Sequence, residues 1–68
     1  MIVKSIRERV EILDHTDEGN SKHTIIVPTD DYKTTRTILE NNSWKIDSSK
    51  ELDSDRTEIK FSVKGIVR

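Results

Sequence analysis

Two histidines, His15 and His23, flank a run that carries Asp14, Asp17 and Glu18. Imidazole beside carboxylate is the donor set of borderline divalent metals, and a hairpin closing over this run brings both rings together. A closed zinc site wants imidazole or thiolate in three or four positions, and the chain has no Cys. The reading is therefore two exposed histidines, with no metal and no cofactor.

Paired carboxylates occur at Asp30-Asp31, Asp17-Glu18 and Asp53-x-Asp55. Acid–base chemistry needs one member of such a pair in a dry, concave site that shifts its pKa, and a chain this short has little material for one. Helix capping accounts for Asp30-Asp31 and a solvated loop for Glu51 to Asp55. The seven serines sit in no Gly-x-Ser-x-Gly elbow, and Gly19 and Gly65 are too isolated to form a phosphate-cradling loop. No catalytic residue is expected.

The basic residues carry the one patterned signal. If Ile59, Phe61 and Val63 face a core, strand alternation turns Lys60 and Lys64 away from it, and the same alternation on a first strand turns Arg7 and Arg9 to that outer face. These four side chains are the expected partner contacts. On an open sheet they resemble a phosphate platform, but no aromatic joins them to stack bases, and Glu11 and Glu58 interrupt the field.

The elements that must position these groups follow from periodicity. Residues 2 to 13 fit two patterns, since Val3, Ile6, Val10 and Leu13 have helical spacing while Ile6, Val10 and Ile12 share a strand face. The polar run from Asp14 to Ser21 followed by the β-branched run Lys22 to Val27 favours a hairpin, so residues 2 to 13 are read as strand, with Glu8 pointing inward. Pro28 ends the second strand. Thr29 or Asp30 caps a helix starting near residue 30, whose stripe of Tyr32, Thr35, Ile38, Leu39 and Asn42 faces the core, and Asn41-Asn42-Ser43 ends it. Trp44, as core, and Ile46 open a third strand. Ser48 to Asp55 is a polar connection, and Arg56 to Val67 a fourth strand in which Gly65 marks a bulge or close approach.

The expected fold is thus a single α+β domain over residues 1–68. Its order is ββαββ, a four-stranded antiparallel sheet with one helix on one face. Val3, Leu13, Ile26, Ile66 and Val67 fall off the inward register and would line a second apolar surface on the bare face.

Composition bounds the function. Of 68 residues, 31% are hydrophobic and 37% charged, with a net charge of −1, so neither a strongly basic nucleic-acid footprint nor an acidic mimic is present. A core this thin, without disulfides, points to self-association as a staple, hence a homodimer. No apolar run is long enough for a signal segment or a spanning helix, and the lack of Cys suits the cytoplasm. Nine Ile and seven Lys without a single Ala suggest AT-rich coding DNA, as in low-GC bacteria, their phages or some archaea. These observations favour a non-enzymatic module that binds another protein as a regulator, inhibitor or accessory factor, of the size phages and mobile elements encode. The alternative is a small nucleic-acid-binding protein using the basic sheet face.

Overall fold

In the computed structural model, which describes residues 2–63, the chain is an α+β domain built on an antiparallel sheet of four strands. Helix α1 (Ile2–Arg7) precedes strands β1 (Asp14–Gly19) and β2 (Lys22–Pro28). A 3-10 turn at Thr29–Asp31 leads into helix α2 (Tyr32–Asn41), which is followed by β3 (Trp44–Glu51) and β4 (Arg56–Val63). The spatial order is β1-β2-β4-β3, so the ββαββ core is present and the two central strands are the β-branched, apolar ones.

The first segment departs from its expected strand. Bonds from the amides of Glu8 to Lys4 O, at 3.2 Å, and of Val10 to Ile6 O, at 2.8 Å, carry helical bonding beyond α1 as far as Val10. Ile2, Val3, Ile6 and Val10 all enter the core. At 100° per residue these four fall within one 100° arc, whereas a strand would set Val3 against the other three. Glu8 becomes an exposed residue rather than an inward charge, and Val3, expected on a second apolar surface, is buried at 5% exposure.

Strand β1 is made from the run read as a turn, because pairing with β2 overrides the polar composition of Asp14 to Gly19. The actual turn is the pair Asn20 and Ser21, at φ 54° and 61°, after Gly19 at φ 79°. Positive φ at both central residues is the type I′ arrangement, which matches strand twist and favours Asn-Gly. Ser21→Gly is therefore expected to stabilise the protein by on the order of 1 kcal/mol, read as a raised denaturant midpoint at constant m-value.

Alternation places His23, Ile25 and Val27 of β2 and Thr57, Ile59 and Phe61 of β4 on the helix-covered face, in register as His23↔Phe61, Ile25↔Ile59 and Val27↔Thr57. Helix α2 adds Ile38, Leu39 and Thr35, and the buried Thr35 hydroxyl donates to Asp31 O at 2.9 Å. The expected side-chain cap is not formed. The Thr29 hydroxyl instead pairs with that of Thr57 at 2.9 Å, and the Thr29 amide donates to Asp55 O, which ties the helix entry to the β3–β4 turn. At the exit the left-handed residue is Ser43, at φ 64°, rather than an Asn, while Asn42 Nδ2 donates back to Ile38 O.

The polar connection expected over 48–55 is shorter. Ser48 to Glu51 pair with β4, leaving residues 52–55 as the turn. Asp53 organises it, its Oδ1 accepting the amides of Asp55 and Arg56, each at 2.9 Å, and its Oδ2 facing the Arg56 guanidinium. These donors, the Asp55 amide first and Arg56 next, hold the Asp53 carboxyl below its ordinary pKa. Gly65 and the apolar pair Ile66 and Val67 lie outside the described residues.

Candidate functional site

The register sets three polar rows on the uncovered sheet face: Lys22, Ser62 and Lys45; Thr16, Thr24, Lys60 and Ser48; and Asp14, Ile26, Glu58 and Lys50. The first two surround a shallow recess of about 410 Å³ edged by Lys22, Lys45 and Lys60, with Thr24 and Ser62 at its floor. Carboxylates share the rim, for Thr24 Oγ1 donates to Glu18 Oε2 at 3.0 Å, and Lys45 Nζ lies 3.9 Å from Asp47 Oδ1. This face is polar and mixed in charge, with Ile26 as the apolar side chain among its three rows. Of the described residues expected on a second apolar surface, Ile26 lies in these rows and Val3 lies in the core.

On the covered face, four rings run across one end of the sheet. His15 and His23 stack with centroids 5.2 Å apart, His23 stacks on Phe61 at 5.6 Å, and Trp44 meets Phe61 edge-on at 5.4 Å. His23 is buried, contrary to the expectation of two exposed histidines; it occupies the strand position two before Ile25, where alternation turns it inward. The two rings do meet as the hairpin reading required, with His15 Nε2 3.1 Å from His23 Nδ1.

A groove follows the outer side of α2 along β3, lined by Tyr32, Arg36, Glu40, Trp44, Lys45 and Ile46 and about 640 Å³ in volume. Arg36 and Glu40 pair across its rim at 3.4 Å. Trp44, Ile46 and Tyr32 pack on the core yet remain only half-buried. Strand β3 is a sheet edge, eight residues long, and among the described residues presents one row of backbone donors and acceptors without a strand partner. The opposite edge, β1, is six residues long, carries Asp14, Asp17 and Glu18, and has a bulge between Asp17 and Gly19. Charge and a bulge are devices that discourage strand addition. Strand β3 carries both, in Lys45, Asp47, Lys50 and Glu51 and in a bulge between Ile46 and Ser48. What sets β3 apart is the groove with Trp44 and Ile46 beside it.

Comparison with known proteins finds no matching family model, no similar curated protein and no similar solved structure. Function is therefore read from the surface itself.

Of the four expected contacts, the structure describes three, and it sets them on two different surfaces. Lys60 is exposed on the open face as anticipated. Arg7, the last residue of α1, and Arg9, in the turn after it, are exposed on the helical layer instead, because the segment that carries them is not a strand. Lys64 lies outside the described residues. The cations that do join Lys60 are Lys22 and Lys45, and only strand register could have revealed them: both oppose Ser62 from neighbouring strands. Among the described residues no helix is long and apolar enough to cross a membrane.

Proposed function

We propose that the protein is a non-enzymatic module that docks on another protein as a regulator, inhibitor or accessory factor, through strand addition at β3. The observation that carries this reading is the coincidence of an open eight-residue edge with a groove in which Trp44 and Ile46 stand half-buried beside Tyr32. An extended segment of a partner would satisfy the free backbone groups of β3 and bury an apolar side chain among those three. Tyr and Trp are well suited to the task, giving large contact area at small entropic cost. A homodimer, the cytoplasm as compartment and a phage or mobile-element origin belong to the same reading, on the thin core, the absence of Cys and the Ile- and Lys-rich, Ala-free composition.

The nucleic-acid reading rests on Lys22, Lys45 and Lys60 around Ser62, and it differs in salt dependence. Three neutralised phosphates give a slope of log K against log salt of roughly −3. The deciding experiment captures partners from the native host with the intact chain and follows amide exchange with and without the captured protein. Protection concentrated in β3, and capture that survives Lys60→Glu but fails with Trp44→Ala, are expected. A mobility shift of nucleic acid that falls steeply with salt and is lost in Lys60→Glu would overturn the proposal.

A further inference from the structure

We infer that His15 and His23 form a two-imidazole site for a borderline divalent ion, Cu²⁺ above all. Their facing nitrogens, His15 Nε2 and His23 Nδ1, are 3.1 Å apart. With metal–nitrogen bonds of about 2.05 Å, two nitrogens on one ion are separated by about 2.9 Å at a square-planar corner and about 3.35 Å along a tetrahedral edge. The observed span lies between these values, so both nitrogens can share one ion once the rings, His15 on the edge strand foremost, turn their lone pairs off the hydrogen-bond line toward it. The tautomers required place the remaining protons on His15 Nδ1 and His23 Nε2, leaving a lone pair on each facing nitrogen.

The surroundings favour a fixed ligand with an open approach. His23 is 8% exposed, held between the Phe61 ring and the tilted Trp44 ring at 5.5 Å, so its imidazole is oriented before any ion arrives. His15 is half-buried on the edge strand β1, which leaves an entry path from solvent. Asp17, opposite His23 in the β1–β2 register, places a carboxylate on the same face. Its Oδ1 accepts the Gly19 amide at 2.9 Å. Among the described residues no set of three ligating side chains converges, so water completes the coordination. A two-nitrogen site of this kind ranks ions by the Irving–Williams order, with Cu²⁺ ahead of Ni²⁺ and Zn²⁺ and with little affinity for Mg²⁺ or Ca²⁺.

The sole tryptophan reports on the site, since Trp44 adjoins the buried ligand. Titrating the intact protein with Cu²⁺ is expected to quench Trp44 emission at one ion per chain, to give an electron paramagnetic resonance spectrum with two equivalent-type nitrogen ligands, and to raise the thermal midpoint. His15→Gln, a change at the edge of the sheet, should weaken Cu²⁺ binding by at least about tenfold and abolish the rise in midpoint. Quenching and affinity unchanged in His15→Gln would overturn the inference. So would copper bound by wild type without Trp44 quenching, which would place the ion elsewhere on the chain.

Discussion

Replacing Phe61 by Ala is expected to leave the protein largely unfolded at room temperature. Phe61 is fully buried on the central strand β4, and its ring touches His23 and Trp44 in contacts of 5.6 and 5.4 Å between centroids. Truncating a core Phe costs about 3–5 kcal/mol. Domains retain roughly 0.05–0.15 kcal/mol per residue, which for 68 residues is about 3–10 kcal/mol. The loss is therefore comparable with the whole stability. Collapse is further favoured because the cavity would open beneath the two rings packed on Phe61, those of His23 and Trp44. Circular dichroism with urea titration measures it, and a midpoint shift equivalent to less than about 1 kcal/mol would show that the sheet end repacks around the void.

The reason Phe61 was legible and other features were not lies in how each signal is encoded. In β4, Thr57, Ile59 and Phe61 alternate with charged residues, so one strand's own periodicity states which face is covered, and the structure buries all three. Helix α2 is equally plain, since Thr35, Ile38 and Leu39 lie on one stripe. Strand β1 could not be read this way. Its residues, Asp14 to Gly19, have neither apolar alternation nor β-branched enrichment beyond Thr16, and they are extended because β2 offers them a ladder. Pairing between strands is non-local information, and the same gap hid the Lys22–Lys45–Lys60 grouping, whose members are distant in sequence and adjacent only through Ser62 and its neighbours. His23 was legible in part: the His23-x-Ile25-x-Val27 spacing already sets it on the buried side, and only its polarity argued otherwise.

The N-terminal segment shows how an even-numbered coincidence misleads, and it supports the second large effect. Ile2, Ile6 and Val10 satisfy a strand as well as a helix; Val3 alone distinguishes them, because only helical winding brings it to the same side. Among the described residues, four of the ten buried hydrophobic core residues come from this segment, which makes it a structural part of the domain. Ile6→Asp should then unfold the protein, since Ile6 has no exposed surface and an unpaired carboxylate there would lose its hydration with no compensating partner. Ile6→Ala should cost about 2–5 kcal/mol, enough to lower the urea midpoint sharply while keeping a measurable transition. A chain beginning at Glu11 is expected to show no cooperative unfolding. Were α1 an appendage on a self-sufficient sheet, these variants would melt like wild type, with Trp44 emission unchanged. The graded response of Ile6→Ala against Ile6→Asp separates loss of packing from burial of a charge at one position, and both follow from a sheet too poor in apolar side chains to stand without its helical cover.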